Sequence, residues 1–401
     1  GPYWGLMHWG HAVSKDLVHW EYLPMALEPS PDGPDRHGCF SGCMIEVDGQ
    51  PMIYYTSVYP ESQSLAFGSE DLVTWDKYEN NPIIPTPPEG IDNDGFRDPW
   101  IWKEEDGWYM IIGSGIRGIG GFLPLYRSKD LINWEYLHPL ITGDIDTHGR
   151  VWECPNFFPL GEKHVLIISP EPLGKAIYFI GRYEGHKFYP ESEGVIDVGG
   201  NYYAPQSQLD EQGRRILIGW VTDGRADEAQ WPSGWSGAMS LPRVLSLSPD
   251  QKQLIMEPVE EVETLRTEKH EVFNLSVTEG EPINIPEIAG DQLEILARMT
   301  EIEAIQCGIK ICQALDNEEQ TAILYNTNAC KLEVHRDSSS ISNLVDKEPC
   351  SGDFKLSSGE DLELRIFVDR TIIEIYANSR LCLTARIYPE RPESTESACQ
   401  S

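Results

Sequence analysis

The sequence predicts an all-β protein in which a β-propeller is followed by a β-sandwich. A repeated segment with a period of about 50 to 60 residues is typical of propellers built from four-stranded blades. Short strand-like runs fill the space between the repeats, and the pattern of the strands changes near residue 260. With 401 residues the chain is long enough to form two domains.

The repeat is a ten-residue segment that occurs three times. It reads SKDLVHWEYL from position 14, SEDLVTWDKY from position 69 and SKDLINWEYL from position 128. Its tryptophans, Trp20, Trp75 and Trp134, are 55 and 59 positions apart. We expect the Ser-x-Asp-Leu turn to lead into a Trp-containing strand on the outer part of each blade. Runs such as PMIYYTSV, GWYMIIGSG, HVLIISP and RRILIGWV supply the other strands.

The strands after residue 270 form a second group. Runs such as DQLEILARM, CKLEVHRD, LELRIFVD and TIIEIYAN alternate with a period of two, which is typical of a β-sandwich. Between the two groups, Val259, Val262 and Leu265 follow Pro258 at helical spacing, which predicts a short linking helix. We therefore expect a propeller in residues 1–256, a linker in residues 257–270 and a sandwich in residues 271–401.

Composition narrows the range of partners. The chain has 65 acidic and 31 basic residues, a formal net charge of -34. Such a field repels phosphates and anionic lipids, which argues against nucleic acid and membrane surfaces as partners and favours a neutral substrate. The 12 Trp and 17 Tyr residues suit both sheet proteins and sugar-binding pockets, so they do not choose between the two. The sequence assigns neither a compartment nor an oligomeric state.

Two carboxylates stand out as candidates for catalysis. In the segment FRDP, Arg97 and Asp98 lie together just before strand-like runs, and Glu153 in WECPNFFPL occupies the corresponding place in the next blade. If the first strand of each blade faces a central channel, these residues converge on one pocket. The Trp, Pro and Phe neighbours of Glu153 predict a raised pKa, whereas Asp98 beside Arg97 is expected to stay ionised. Two carboxyls with separated pKa values suit acid-catalysed cleavage of a glycosidic bond.

Other motifs carry little weight. GSGIRG, residues 113–118, spells GxGxxG after a strand, but no helical pattern follows to bind a phosphate. His8 and His11 have a zinc-like spacing, but residues three apart on a strand point to opposite faces. The nine Cys residues include no CxxC pair, and we expect scattered buried thiols. We predict neither a metal nor a cofactor.

Seven motifs together resemble one known family. They are HWGHAVSKDLVHWEYLP, GCFSGC, FRDP, WECPNFFPL, NYYAPQS, GRRILIGW and WSGAMSLPR. In this order, over almost the whole chain, they resemble glycoside hydrolase family 32, which includes invertases, levanases, inulinases and other fructosyl-cleaving enzymes. The family pattern implies an all-β fold with a five-bladed β-propeller followed by a C-terminal β-sandwich. It also implies sucrose or a fructan oligosaccharide as the substrate.

The resemblance assigns roles to individual residues. Asp98 matches the residue that binds fructose hydroxyls and stabilises the transition state, and Glu153 matches the general acid/base of a retaining mechanism. Arg97 is implied to hold Asp98 and the sugar. Five further residues match positions expected to line the substrate pocket: Trp4, Phe40, Ser41, Asn201 and Trp235.

One part of the family pattern does not occur in the sequence. The family's nucleophile belongs to an Asn-Asp-Pro-Asn-Gly segment upstream of WGHA, and residues 1–401 contain no such segment. Because a retaining enzyme needs a nucleophile about 5 Å from its acid, the chain alone is expected to lack the fructosyl-enzyme step. The same segment is implied to supply strand to the first blade, so we expect that blade to be incomplete. The chain end is also expected to fall short of the sandwich's final strands.

Several functional alternatives remain open at this stage. The leading hypothesis is hydrolysis of β-fructofuranosyl bonds in sucrose or fructans. A fructosyltransferase would differ only in using a sugar instead of water as the acceptor. A pseudoenzyme without the nucleophile would bind sucrose or fructan without turnover. An inverting propeller glycosidase acting on arabinan or xylan is disfavoured by the WECP context and the attached sandwich.

Overall fold

The computed structural model describes residues 5–278, 282–285 and 288–400. It confirms the all-β prediction, because 29 strands are accompanied by only three short helices within these ranges. The helices are α1 (Ile145–His148), α2 (Asp227–Ser233) and a 3-10 helix (Glu260–Leu265). In the part of the chain that the structure describes, no helix is long and apolar enough to cross a membrane.

Five antiparallel sheets follow one another along residues 9–258. The first is a hairpin of β1 (Trp9–Ser14) and β2 (Trp20–Leu27). The second comprises β3 (Cys39–Val47), β4 (Gln50–Ser57), β5 (Ser62–Gly68) and β6 (Trp75–Lys77). The third comprises β7 (Asn93–Glu104), β8 (Gly107–Ile116), β9 (Gly120–Ser128) and β10 (Glu135–Thr142). The fourth comprises β11 (Val151–Leu160), β12 (Lys163–Glu171), β13 (Ile177–Glu184) and β14 (Lys187–Val195). The fifth comprises β15 (Tyr202–Leu209), β16 (Arg215–Val221), β17 (Ala238–Met239), β18 (Arg243–Leu247) and β19 (Leu254–Pro258).

The order of strands within these sheets places the first strands together. In the second, third and fourth sheets the strands lie side by side in chain order, so the first strand forms one edge and the Trp-repeat strand, where present, forms the other. The first strands of neighbouring sheets then contact one another: β3 contacts β7, β7 contacts β11, and β11 contacts β15. Residues at the beginnings of these strands are thereby brought to one end of the molecule.

The sequence repeat corresponds to a repeated turn. Each Ser-x-Asp-Leu turn has its leucine in the left-handed region, with φ of +61°, +61° and +67° at Leu17, Leu72 and Leu131. In each repeat the indole N–H of the tryptophan three residues later donates to that leucine's carbonyl, at 3.2, 3.0 and 3.2 Å. The repeat therefore encodes one local structure three times, at the entrance to the last strand of a sheet.

The C-terminal part of the chain forms two sheets around a shared core. The strands are β20 (Ile283–Asn284), β21 (Gln292–Met299), β22 (Gln306–Gln313), β23 (Thr321–Asn326), β24 (Lys331–His335), β25 (Cys350–Asp353), β26 (Leu362–Asp369), β27 (Ile372–Ala377), β28 (Leu381–Arg386) and β29 (Glu396–Gln400). One sheet has the order β20-β29-β22-β23-β24-β25 and the other β21-β26-β27-β28. Buried residues from both sheets form one hydrophobic cluster, as in a sandwich.

A buried ionic network joins the two parts of the chain. Arg243 of β18 is fully buried, and its Nη2 donates to Asp197 Oδ2 and Glu374 Oε2 at 2.9 Å each and to Thr384 Oγ1 at 2.7 Å. Glu374 and Thr384 belong to β27 and β28, so the arginine holds the C-terminal part against the fifth sheet. The guanidinium also lies 4.2 Å from the ring centre of Tyr202.

Replacing Arg243 is expected to destabilise the protein strongly. Arg243→Met leaves two buried carboxylates without their cation, which costs about 3 to 5 kcal/mol in the free energy of unfolding. Urea denaturation followed by tryptophan fluorescence measures the change. The control is Arg298→Met, because Arg298 pairs with Asp361 at a surface where its side chain is 67% exposed, and we expect a change within about 0.5 kcal/mol there. Equal effects of the two substitutions would contradict this account of the interface.

Candidate active site

The candidate site is built on β-bulges at the beginnings of the first strands. The pairing register shifts between Phe40 and Gly42, Arg97 and Trp100, Glu153 and Asn156, and Tyr203 and Gln206. In the last three strands a residue with positive φ precedes a proline: Asp98 at +63°, Cys154 at +47° and Ala204 at +46°. L residues rarely adopt this conformation, and a bulge turns side chains out of the regular alternation. The bulges therefore direct side chains of neighbouring strands towards one another.

Residues at equivalent positions before three of these bulges form a hydrogen-bonded row. Arg97, Glu153 and Tyr203 each stand two residues before the proline of their strand. Arg97 Nε donates to Glu153 Oε1 at 3.0 Å, and the Tyr203 hydroxyl donates to Glu153 Oε2 at 2.6 Å. Burial and the adjacent Glu153 carboxylate raise the pKa of Tyr203, which keeps its hydroxyl a donor. Both oxygens of Glu153 are thus oriented by neighbouring strands.

Asp98 lies beside this row and is almost fully buried. Its side chain accepts the backbone N–H of Cys154 at 2.8 Å, and its own N–H donates to Thr56 Oγ1 at 2.9 Å. Thr56 in turn donates to the buried Gln63, whose amide holds the carbonyl of Phe96. A polar network from β4 and β5 therefore fixes the backbone around Asp98.

The electrostatics of the two carboxylates differ from the sequence expectation. The pKa of Asp98 is raised to about 6, mainly by burial and further by the negative charge of Glu153. The positive charge of Arg97 lowers this pKa but does not outweigh them. A carboxyl with this pKa is still mostly ionised at pH 7, as expected from the sequence. No hydrogen bond between Arg97 and Asp98 is present in the described structure, because the bulge directs the guanidinium towards Glu153 and Asp98 towards Cys154.

Glu153 also has surroundings other than those expected. The aromatic residues near it in sequence, Trp152, Phe157 and Phe158, are buried in the hydrophobic core. Glu153 instead contacts Arg97 and Tyr203, and its side chain is 20% exposed. An apolar pocket around this carboxyl was predicted wrongly, because the bulge after Glu153 separates it from the apolar face of β11.

Arg97 is surrounded by carboxylates. Besides Glu153 it contacts Glu61 Oε1 at 3.1 Å and Glu171 Oε1 at 3.3 Å. Glu61 also accepts the backbone N–H of Phe96 at 2.5 Å. The guanidinium is held by side chains of the second and fourth sheets, on either side of its own, so its position, and through it that of Glu153, is fixed.

One buried asparagine holds two of the bulges together. The amide group of Asn156 donates to the carbonyls of Cys154 and Pro205, each at 3.0 Å, and its oxygen accepts the N–H of Ser207 at 2.7 Å. Asn156 thereby links the bulge of β11 to that of β15, which carry Glu153 and Tyr203. All three of its contacts are buried.

The remaining predicted residues fall into two groups. Phe40 and Ser41 lie at the bulge of β3, and the Ser41 side chain interacts with the thiol of Cys154, which brings it next to the carboxylates. Trp4 lies outside the described residues. The structure therefore brings Phe40, Ser41, Arg97, Asp98 and Glu153 to one end of neighbouring sheets.

Asn201 and Trp235 belong to a different environment. The side chain of Asn201 accepts the backbone N–H of Arg386 at 3.1 Å and donates to Thr222 Oγ1 at 3.3 Å. Trp235 covers the guanidinium of Arg225 at 4.0 Å and lies 5.5 Å from that of Arg386. Both residues contact the junction with the C-terminal sheets, and in the described structure neither forms a hydrogen bond with Asp98 or Glu153.

Residues that could bind a metal lie elsewhere. Ligand atoms of Glu104, Asp106 and His186 lie within 4.8 Å of one another in the described part of the chain. Asp106 is already paired with Arg127 at 2.7 Å and Glu104 with the hydroxyl of Tyr183 at 2.7 Å. These protein partners account for the side chains of the cluster without a metal. The cluster shares no residue with the carboxylate site.

The sequence reasoning missed three residues that hold the site. Glu61 and Asn156 carry no motif that would single them out. Tyr203 could have been found, because RDP, ECP and YAP place Arg97, Glu153 and Tyr203 at the same distance from a proline in successive sheets. What repeats is the position two residues before a proline, whereas the residue at that position differs from strand to strand.

Tyr203 is expected to act as a positioning residue for Glu153. Tyr203→Phe removes a hydrogen bond to a charged group, worth about 1.5 to 3 kcal/mol, so we expect kcat for glycoside cleavage to fall about 10- to 100-fold with KM nearly unchanged. Steady-state kinetics measure the two constants separately. Tyr189→Phe, at an exposed position of β14, is the control and should change neither. A fall in thermal stability that accounts for the lost activity would contradict the positioning role.

The fold and the site together define a class of protein. An all-β scaffold that gathers a buried aspartate and a hydrogen-bonded glutamate at the beginnings of successive inner strands is that of a glycosidase with carboxylate chemistry. Residues 1–258 match the model for the glycosyl hydrolases family 32 N-terminal domain, and residues 261–401 match that for the family 32 C-terminal domain. The chain belongs to glycosyl hydrolase family 32.

Individual relatives agree with this assignment. The chain is 31% identical to a sucrose-6-phosphate hydrolase of Escherichia coli over 98% of its own length and 83% of the relative's. It is 30% identical to a cell wall β-fructofuranosidase of Pisum sativum, covering 97% and 82%. Among solved structures, fructan 1-exohydrolase IIa of Cichorium intybus, in complex with 1-kestose, superposes with a TM-score of 0.90 at 28% identity over 100% of this chain and 88% of that one.

Proposed function

We propose that the protein cleaves β-fructofuranosyl bonds in sucrose or fructans, with Glu153 as the general acid/base and Asp98 as the residue that binds the fructosyl ring. The observation that carries this proposal is the row in which Arg97 and Tyr203 orient both oxygens of Glu153 beside the buried Asp98. Relatives named as a sucrose-6-phosphate hydrolase, a β-fructofuranosidase and a fructan exohydrolase support the choice of a fructosyl bond.

Each carboxylate has a chemical task. Glu153 in its acid form protonates the glycosidic oxygen as the bond breaks, and its conjugate base then activates the acceptor. Asp98 keeps negative charge close to the ring, where positive charge develops in the transition state. Because Asp98 is buried and fixed by the Cys154 N–H, its charge needs no reorganisation during the reaction.

The covalent step of a retaining mechanism needs a third carboxylate. The family resemblance assigns it to an Asn-Asp-Pro-Asn-Gly segment that residues 1–401 do not contain. Phe40 and Ser41 are proposed to line the fructose pocket on the side of β3. The family resemblance also implies Trp4 as a lining residue and Asn201 and Trp235 as wall residues, and we propose these roles on that basis.

We also propose that the five successive sheets are the blades of a propeller. The contacts between first strands and the outer position of the Trp-repeat strands support this arrangement. The hairpin of β1 and β2 then supplies two strands of the first blade. The proposed bounds are residues 1–256 for the propeller, 257–270 for the linker and 271–401 for the sandwich, although β19 extends to Pro258.

Sugar release tests the proposal. The 401-residue chain is incubated with sucrose, inulin or levan, with and without sodium azide, a small anion that can replace a carboxylate nucleophile. We expect cleavage that requires Glu153 and is stimulated by azide. Oligosaccharide products at high sucrose would indicate a fructosyltransferase. Binding of sucrose with no cleavage under either condition would contradict the proposal and favour a binding protein.

A further inference from the structure

The charges around Glu153 distinguish between neutral and phosphorylated substrates. Some relatives are named for a phosphorylated sucrose and others for substrates without phosphate. We propose, building on the function proposed above, that this site binds a neutral sugar in the leaving-group position and discriminates against a phosphorylated one.

The leaving sugar lies next to Glu153. A general acid must be within hydrogen-bond reach of the glycosidic oxygen, so the departing sugar occupies the space on the solvent side of that carboxyl. The Glu153 side chain is 20% exposed, whereas Asp98 is only 5% exposed. Charges that border the exposed side of Glu153 therefore act on the leaving sugar and on any group attached to it.

Three arginines are linked to Glu153 directly or through shared carboxylates, and each is paired with more than one carboxylate. Arg97 contacts Glu153, Glu61 and Glu171. Arg150 contacts Asp94 and Glu171 at 2.7 Å each, and Arg117 contacts Asp92 at 3.2 Å and Asp94 at 3.9 Å. These arginines bridge protein carboxylates, and a phosphate would have to displace those partners to be bound.

The cluster as a whole is negative. Six carboxylates belong to it against three arginines: Glu61, Asp92, Asp94, Asp98, Glu153 and Glu171. With every member ionised the balance is three negative charges, within a chain of net charge -34. A phosphate dianion brought into this region is repelled, and the repulsion grows as ionic strength falls and the Debye length rises above about 8 Å.

One further arginine, outside this cluster, argues in the other direction. Arg36 precedes β3, and its Nε contacts His37 Nε2 at 3.2 Å. In the described structure no carboxylate lies within ion-pair distance of Arg36. It is therefore the residue that a phosphate would use if the inference were wrong, and its replacement provides an independent control.

Calorimetric titration of the 401-residue chain with sucrose and with sucrose 6-phosphate tests the inference without requiring turnover. We expect sucrose to bind at least about fivefold more tightly at 0.15 M salt, and the ratio to widen at about 0.02 M salt, where screening is weaker. Asp94→Asn releases Arg150 and Arg117 from a shared carboxylate. The preference for sucrose over sucrose 6-phosphate should then become about two- to threefold smaller. This change should come mainly from tighter binding of sucrose 6-phosphate.

The outcomes separate this inference from the proposed function. Tighter binding of sucrose 6-phosphate, weakened by Arg36→Ala or by added salt, would overturn the inference and leave fructosyl cleavage intact. Equal affinities that do not respond to salt would also overturn it. Failure of both sugars to bind would refute the proposed function and this inference together.

Discussion

Glu153→Gln is expected to reduce cleavage of sucrose by about 10²- to 10⁴-fold, because the amide cannot deliver a proton to the glycosidic oxygen. Glutamine keeps the size of the side chain, and its single amide oxygen can accept from either Tyr203 or Arg97 but not from both. The loss should therefore appear in kcat and not in the affinity for sucrose. Glucose release, measured with and without azide, gives the rate.

The leaving group provides a sharper criterion for the acid role of Glu153. With 4-nitrophenyl β-fructofuranoside, whose leaving group needs little protonation, Glu153→Gln should lose much less of its bond-cleaving rate than with sucrose. Glu193→Gln is the matched control, because Glu193 pairs with His148 and its side chain is 61% exposed. Equal losses on the two substrates would show that Glu153 is not the proton donor.

Asp98→Asn is expected to make the protein more stable and less active. The substitution removes the charge that stabilises the transition state, and we expect a loss of about 10²- to 10³-fold in kcat/KM. The asparagine oxygen can still accept the N–H of Cys154, so the geometry is retained. Removing a buried negative charge beside Glu153 should also raise the free energy of unfolding at pH 7.

The pH dependence of the free energy of unfolding shows whether the charge of Asp98 stabilises or destabilises the folded protein. The pKa of Asp98 is about 6 in the folded protein against an ordinary value of 3.8, so ionising it in the folded state costs about 3 kcal/mol. That cost is complete above pH 6 and absent below the ordinary value. The advantage of Asp98→Asn in urea denaturation should therefore be largest at pH 7 and disappear between pH 6 and pH 4. An Asp98→Asn protein that is less stable than the parent at pH 7 would contradict the raised pKa.

The sequence predicted the all-β fold well because repeated local patterns encode its turns and strands. The Ser-x-Asp-Leu segment gives the same turn at Leu17, Leu72 and Leu131, since the indole of each following tryptophan bonds back to the leucine carbonyl. Period-two alternation likewise identified the strands of the C-terminal sheets. The linking helix was expected from the spacing of Val259 and Val262, and the structure has a 3-10 helix at Glu260–Leu265.

The electrostatics of the site could not be read from neighbours in sequence. Trp152 and Phe157 next to Glu153 predicted an apolar environment, but a bulge places those rings in the core and Glu153 against Arg97. The desolvated carboxyl is Asp98, whose adjacent arginine points away from it. Such reversals depend on which way a bulge turns a side chain, and that is decided by contacts between different sheets.

Contacts between distant segments were also beyond sequence reasoning. Asn201 was expected in the pocket wall, but its amide bonds to Thr222 and to the backbone of Arg386, far away in sequence. Glu61 and Asn156 hold Arg97 and the bulge of β11 without any motif of their own. Only the packing of one sheet against the next identifies them as parts of the site.

The most direct test of the carboxylate site is the configuration of the product that the 401-residue chain forms from sucrose in the presence of azide. We predict glucose and α-fructosyl azide, since azide would attack from the face opposite the leaving group while Glu153 protonates the departing oxygen. Nuclear magnetic resonance identifies the anomer. The Glu153→Gln chain should give neither product. Formation of fructosyl azide at an undiminished rate by Glu153→Gln, or its absence from a parent chain that binds sucrose, would contradict the account.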